Sequence, residues 1–402
     1  MQRRGAEVSY SERISSMKNT YNKIKEYIEE HRQEMTSLWE RLVNIDSGTA
    51  NADGVRKVCS LLQSEMAAIG MQTKVIESGL AGPVLVGEWN KSSESEPIVL
   101  IGHMDTVFGD GTAKTSPFRI DTQGNAHGPG VLDMKAGLVI ALYAVKALQT
   151  VGFDRHPVKC VFAGDEENLH MLSNAKDILL KEMEGAAAAF NFETGYLDDG
   201  LVVGRKGGGI VEMTVHGISS HSGIAPEKGR SAILEMAYKV IKLEGENDLE
   251  RGKLINCGEI KGGIGSNTIP DKCKVTMSIR FPSVEIRDEI LEDIRKAAED
   301  TYIEGTHTQV DIKAVMECME STDGVLELFE HVRKTARECG YGKVHPFTVG
   351  GVSDSGISVT NGIPTVCAMG VRGQGNHTAE EFAVVESLYS RTVLAASAIY
   401  TL

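Results

Sequence analysis

Two histidines and a group of carboxylates, spread over five short segments, are the residues of this chain best equipped to hold cations and move protons. The segments are Gly102-His103-Met104-Asp105-Thr106-Val107, Gly130-Val131-Leu132-Asp133-Met134-Lys135, Asp165-Glu166-Glu167, Phe192-Glu193-Thr194-Gly195 and Asn376-His377-Thr378-Ala379-Glu380-Glu381. Neutral imidazole and ionised carboxylate suit zinc, and cobalt or manganese can substitute at such nitrogen and oxygen sites. A carboxylate shared between two ions, further carboxylates, two imidazoles and one spare glutamate compose a hydrolytic site. Two ions roughly 3.5–4 Å apart polarise a carbonyl and hold a hydroxide at neutral pH. A carboxylate left off the ions can take the proton from water and hand it to a leaving amine. The residues alone leave open which glutamate does so.

Each residue has a bland reading beside the chemical one. His103 and Asp105 lie two apart at the end of an apolar run, so in an extended conformation their side chains share a side. Asp105 could then fix the tautomer of a metal-bound imidazole; a surface histidine beside a turn aspartate is the alternative. Asp133 stands where a glycine-rich loop meets a helix and could be a simple N-cap. To bridge two ions it needs a rigid, close-approaching backbone, which Gly128, Pro129 and Gly130 would supply. Glu166 and Glu167 are adjacent, so one can face the ions while the other approaches from a different angle. Glu193 follows an apolar run, where a buried charge requires a partner. His377 follows the glycine-rich stretch Gly370 to Gly375.

The elements that must position these groups follow from periodicity. Ile24, Ile28, His31, Met35, Leu38, Leu42 and Ile45 recur at spacings of three and four, which predicts one long helix ending near Asp46-Ser47-Gly48. A second amphipathic helix is expected from about Asp53 to Ala68, closed by Gly70. Pro83 to Gly87, Ile98 to Ile101, Val158 to Phe162 and Ala186 to Phe192 are apolar runs, and Lys135 to Leu148 is a helix rich in Ala, Leu and Val. Three of the five segments therefore sit just past the C-terminal ends of strands, where open α/β sheets place their ligands. From Ile210 to Met316 the pattern reads strand, helix, strand, strand, helix, strand. The strands are roughly Ile210–Gly217, Lys253–Lys261, Lys272–Phe281 and Gln309–Met316, and the helices Ser231–Leu243 and Ser283–Thr301. That order fits a small split βαβ sandwich inserted into a larger α/β domain. Helix and strand resume after about Ser321, and the chain ends in a helix from Glu386 to Tyr400.

Bulk properties bound the rest. A chain of 402 residues suggests two or three domains, and 41% hydrophobic with 24% charged residues is ordinary for a soluble globular protein. A formal charge of -14 argues against nucleic acid or an anionic membrane as partner. The start, Met1 to Glu7, has no apolar stretch behind it, and no run of about 18 apolar residues follows anywhere. Seven scattered cysteines without Cys-x-x-Cys spacing suggest free buried thiols and a cytoplasmic setting.

The order of the five segments resembles the di-zinc metallopeptidase and aminoacylase family, over nearly the whole chain from about Leu38. The resemblance implies an α/β fold: a zinc-peptidase-type mixed sheet flanked by helices, with an inserted ferredoxin-like α+β domain for dimerisation or for closing as a lid. Residues 1–206 would form the first part of the catalytic domain, 207–318 the insert and 319–402 the second part. It implies two zinc ions per subunit, one held by His103, Asp133 and Glu193 and the other by Asp133, Glu167 and His377. Glu166 would be the general base acting on a water between the ions, and Asp105 the orienter of His103. His221, in Ser220-His221-Ser222-Gly223, would reach a partner subunit's site and stabilise the oxyanion. Asn267, Arg280 and Gly351 would contact substrate, the guanidinium by bidentate capture of a carboxylate.

Three positions depart from that pattern. Asn168-Leu169-His170 replace a small turn after the paired glutamates, Ser278 replaces an acidic residue two before Arg280, and Pro129 replaces a basic or small residue. None removes a ligand; all bear on the substrate pocket. Phe192-Glu193-Thr194-Gly195 and Val202 to Gly207 resemble the glutamate carboxypeptidase branch. The expected reaction is hydrolysis of an amide or peptide bond in a small peptide or N-acyl amino acid, with release of a C-terminal amino acid such as glutamate. An N-acyl amino acid deacylase or a dipeptidase using the same site, and more remotely a catalytically silent binding protein, are the alternatives. A homodimer through the insert is expected, with no nucleic acid or membrane partner.

Overall fold

The apolar runs form one mixed sheet whose six strands, in spatial order, are Gln72–Ile76, Val84–Trp89, Val158–Ala163, Ile98–His103, Ala188–Asn191 and Thr365–Val366. This computed structural model describes residues 10–91 and 93–402; the Met1 to Glu7 segment and Ser92 lie outside the described residues. The first three strands pair antiparallel, and the last four run parallel. All of Ile98–His103 is buried, as a central strand covered on both faces must be. Its register sets His103 opposite Ala163 and Ile101 opposite Asn191. The C-terminal ends of three neighbouring parallel strands therefore share one edge, which delivers His103, the Asp165 triplet and Glu193 to one place.

Helix Lys135–Thr150 is buried without interruption from Lys135 to Val145, so it is apolar all round rather than on one stripe. Helix Val385–Thr401 packs along it. Helix Ala52–Ala68 starts at Asn51, whose side chain accepts from Gly54 N at 2.8 Å. The long N-terminal helix expected from Ile24 to Ile45 is instead two, Tyr10–Glu30 and Arg32–Val43. The cause lies at His31. Its ring Nδ1 sits 2.7 Å from the Tyr27 carbonyl, and its backbone N–H turns to Ile28 O. A side chain that takes the carbonyl due to the helical ladder breaks the ladder there.

A second, small sheet was not legible in the sequence. Its order is Arg119–Ile120, Asn125–His127, Phe382–Val384, Arg372–Gln374, Gly195–Tyr196. Arg372–Gln374 and Phe382–Val384 are antiparallel, so residues 375–381 are the loop between them. Gly195 pairs with Arg372 just after Glu193, and His127 pairs with Phe382 just before the Gly128 to Asp133 loop. This sheet ties together the chain around Glu193, His377 and Asp133.

The strands and helices above belong to one compact unit, comprising the chain up to Val203 with Ser321–Thr348 and Asn361–Leu402; Gly204–Glu320 and Val349–Thr360 form a second. The second unit is a four-stranded antiparallel sheet, ordered Leu254–Gly262, Lys272–Phe281, Gly207–His216, His307–Met316. Helices Ala232–Gly245 and Val284–Glu299 cover one face, capped by Ser231 and Ser283. Val211, Met213, Val215, Val275, Met277 and Ile279 alternate inward against Met236, Ile290 and Ile294. This is a ferredoxin-like α+β arrangement with the expected element order. All seven cysteines are free, five of them buried, and among the described residues no helix is long and apolar enough to cross a membrane.

Candidate active site

Asp133 is the centre of the site. Its Oδ1 lies 3.3 Å from His103 Nε2 and its Oδ2 3.3 Å from His377 Nε2, so one carboxylate faces an imidazole on each side. His377 Nε2 is also 3.1 Å from Glu167 Oε2, and His103 Nε2 is 3.7 Å from Glu193 Oε1. Asn376 Nδ2 donates to Asp133 Oδ2 at 3.2 Å. Atoms of His103, Asp133 and Glu167 fall within 4.8 Å of one another, and so do atoms of His103, Glu166 and Glu193. Six residues named from sequence are thus brought together within the first unit.

Asp105 organises two of the five segments at once. His103 Nδ1 lies 3.1 Å from the Asp105 carbonyl and 3.3 Å from its Oδ1. A carbonyl only accepts, so Nδ1 carries a proton and Nε2 is aimed at the other carboxylates. The same Asp105 carboxylate accepts the backbone N–H groups of Glu166 and Glu167, each at 3.2 Å, and the Thr49 hydroxyl at 2.6 Å. Its role therefore extends beyond the imidazole to the turn that carries both glutamates.

Sequence reasoning missed Glu381, although its motif was in view. It is buried, and its carboxylate accepts from Gly130 N at 3.2 Å, Leu132 N at 2.6 Å and Asp133 N at 2.9 Å. Burial pushes its carboxyl up to about 7, against the pull of those three donors. Gly130 adopts φ 70°, and a Cβ there would come within 2.5 Å of the Thr106 side chain, so glycine is required for this close approach. The Asp133–Met134 peptide is cis. Glu381→Ala leaves three buried donors unpaired, at about 1–3 kcal/mol each. A lower melting temperature and a roughly 10–100-fold weaker metal affinity are expected. Thermal melts and calorimetric metal titration, with Glu381→Gln as the milder partner, check this.

The departure after the glutamates also has a structural answer. Leu169 and His170 both take left-handed conformations, at φ 54° and 55°, and the buried His170 puts Nδ1 2.8 Å from the buried Asp165. The turn after the paired glutamates is closed here by a contact between His170 Nδ1 and Asp165 Oδ1 within the triplet's own segment.

The electrostatics favour positive charge. Burial opposes protonation of His103, but the carboxylates of Asp105, Asp133 and Glu193 beside the ring outweigh it and hold the imidazole well above its ordinary value. Hydrogen bonds to Asp133 and Glu167 raise His377 to about 10. Burial pushes Glu167 up, and the charge on Asp133 adds to it. Asp133 Oδ1 and Glu167 Oε1 are buried without a hydrogen bond. Unsatisfied carboxylate oxygens between two imidazoles are a donor set that fits divalent cations. An N-cap role for Asp133 is not what the structure shows: the residue before helix Lys135–Thr150 is Met134, and no side chain caps it.

The remaining sequence candidates lie in the second unit. His221 and Asn267 are drawn together by a two-residue ribbon in which His221 pairs with Thr268, and Ser222 N donates to Asn267 O at 2.9 Å. His221 is exposed, and its Nδ1 accepts from Gly223 N at 3.2 Å. Arg280 lies opposite Gly208, where a Cβ would meet its guanidinium at 2.2 Å. Gly351 O accepts from Arg205 at 3.2 Å.

With a mixed sheet, an inserted α+β unit and a carboxylate–imidazole cluster at the strand ends, the molecule has the build of a metallohydrolase. The profile of peptidase family M20/M25/M40 matches residues 99–401, and the chain belongs to that family. It is 27% identical over 368 residues to carboxypeptidase G2 of Pseudomonas sp. (strain RS-16), covering 90% of this chain and 88% of that one. It is 27% identical over 317 residues to a succinyl-diaminopimelate desuccinylase of Sulfurovum sp. (strain NBC37-1), covering 74% and 82%. Among solved structures it resembles aminopeptidase PepT of Bacillus cereus ATCC 10987, with a TM-score of 0.73 at 21% identity over 92% of this chain and 99% of that one. It is a metallopeptidase-family hydrolase.

Proposed function

We propose that this chain is a two-zinc amide hydrolase that releases a C-terminal amino acid, glutamate foremost, from a small peptide or N-acyl amino acid. The observation that carries the reading is Asp133, with one oxygen toward His103 and the other toward His377. His103, Asp133 and Glu193 would hold one ion, and Asp133, Glu167 and His377 the other. When bound, the ions supply Lewis acidity toward the scissile carbonyl and lower the pKa of water. Glu166 takes the proton of the attacking water and returns it to the departing nitrogen. Asp105 fixes the ring of His103 and the glutamate turn together.

In the second unit, His221 is the oxyanion donor. With Gly223 N on its Nδ1, the proton of the neutral ring resides on Nε2, free to donate. Arg280 takes the carboxylate of the departing residue, and Asn267 and Gly351 serve as further substrate contacts. The second unit serves as dimerisation or lid domain in a homodimer. The carboxypeptidase relative supports release of a C-terminal residue; the choice of glutamate follows the Phe192 to Gly195 and Val202 to Gly207 segments.

The test is incubation of zinc-loaded protein, with and without chelator, against dipeptides and N-acyl amino acids, with products identified by mass. Chelator-sensitive release of C-terminal glutamate above other residues is expected. Release from acyl groups with little peptide cleavage makes the enzyme a deacylase. No turnover with any substrate, with two metals bound, removes Glu166 from its role.

A further inference from the structure

The segment Ile45 to Asn51 reads in sequence only as a helix end, yet it is bonded both to the chain around Asp105 and to the helix that follows Asp133. On the first side it runs beside the chain leaving strand Ile98–His103. Thr106 N donates to Ser47 O at 2.9 Å, and Thr49 N donates to Thr106 O at 3.1 Å. A Cβ on Gly48 would meet the Phe108 carbonyl at 2.2 Å, so glycine is what lets the two backbones come this close. From this ladder the Thr49 hydroxyl donates to Asp105 Oδ2 at 2.6 Å. An ionised carboxylate only accepts, so the hydroxyl has one orientation.

Asp105 is fully buried, and its contacts divide between its two oxygens. Oδ1 faces His103 Nδ1 at 3.3 Å and accepts from Glu166 N at 3.2 Å. Oδ2 accepts from Glu167 N at 3.2 Å, and the Thr49 hydroxyl makes the shortest contact of the set. Thr49 is thus the one side-chain donor on Asp105 that comes from outside the five acid and histidine segments.

On the second side stands Lys135, which follows Asp133 and Met134 and is fully buried. Its Nζ donates to Ile45 O at 2.7 Å. A buried ammonium requires a partner, and this one is spent on the loop that carries Thr49.

We propose that Thr49 is a positioning residue for the amide hydrolysis, and that Lys135 fixes the loop from which it acts. Thr49 sets the rotamer of Asp105, and Asp105 sets the ring of His103 and the backbone of both glutamates. Lys135 ties that arrangement to the segment of Asp133, so that His103 and Glu167 keep their places about the shared carboxylate. The assignment rests on the two-zinc amide-hydrolase reading, and zinc affinity tests it without turnover.

The experiment measures zinc dissociation constants of metal-stripped wild type, Thr49→Val, Thr49→Ser and Lys135→Met by competition with a chromophoric chelator. Melting temperatures, and kcat and KM of the zinc-loaded forms with N-benzoylglutamate, are measured beside them. Thr49→Val keeps the shape of the side chain and deletes the hydroxyl. It is expected to weaken zinc binding about 10–100-fold and to lower kcat with little change in KM, as loss of a hydrogen bond behind a metal ligand does. Thr49→Ser restores the hydroxyl and is expected to return both toward wild type. Lys135→Met is expected to weaken zinc binding about tenfold. The double variant is expected to weaken it by less than the product of the two single effects, because both act through one loop. Wild-type zinc affinity in Thr49→Val, or a serine that fails to rescue, overturns the role of Thr49, whatever the melting temperatures show. Single effects that multiply in the double variant overturn the part of Lys135. Absence of wild-type turnover counts against the amide-hydrolase reading, while zinc affinity still decides the positioning.

Discussion

Glu166→Gln is expected to lower kcat by about 10²–10⁴-fold, the contribution typical of a positioned general base, while both metals stay bound. The substitution is isosteric, and the backbone N–H of Glu166 keeps its bond to Asp105, so the turn and Glu167 remain in place. The carboxamide cannot accept the proton of water. Measuring metal content beside kinetics is essential here, because Glu166 offers an oxygen in the same cluster as His103 and Glu193. Loss of kcat with two metals retained assigns Glu166 as the base. Loss of one equivalent of metal would make it a ligand and transfer the proton-handling role to another carboxylate.

Asp133→Ala is expected to abolish both metal sites and with them all measurable turnover. The two imidazoles approach different oxygens of this one side chain, so no other single deletion removes a partner from both. Glu193→Ala is the contrast. Its carboxylate lies 3.7 Å from His103 Nε2, on one side of Asp133, and that variant is expected to retain one equivalent of metal. Metal analysis of purified wild type, Asp133→Ala and Glu193→Ala, read as equivalents per chain, separates a shared ligand from a terminal one. Equal metal content in the two variants would remove the bridging assignment.

The parts of this molecule legible in sequence are those with strong periodicity or with chemistry concentrated in a few letters. The strands Ile98–His103 and Val158–Ala163 read as apolar runs, the first ending in His103 and the second interrupted only by the half-buried Lys159, and Ser231 and Ser283 marked the starts of both helices of the second unit. The edge strand Gln72–Ile76 gave no signal because its residues are exposed or half-buried, without alternation. The small sheet was invisible for another reason: its strands are two or three residues long and take their identity from partners far along the chain. Glu381 was hidden in plain view. A carboxylate four residues past His377 reads as solvated, and only the fold reveals that it is spent on the backbone N–H groups of the Asp133 loop. His31 shows the converse. Its helical spacing was correct on both sides, and a ring nitrogen broke the helix between them.

The first unit is discontinuous along the chain, and that has a consequence for how the enzyme comes into being. The strand Thr365–Val366, His377 and Glu381 all follow the stretch Gly204–Glu320 that makes most of the second unit. Domains fold as units while the chain emerges from the ribosome. The second unit can therefore form while Asp133 still lacks both its second imidazole and the carboxylate that holds its loop. A hydrolase assembled in this order cannot complete the cluster around Asp133 before the segment carrying His377 and Glu381 has been made.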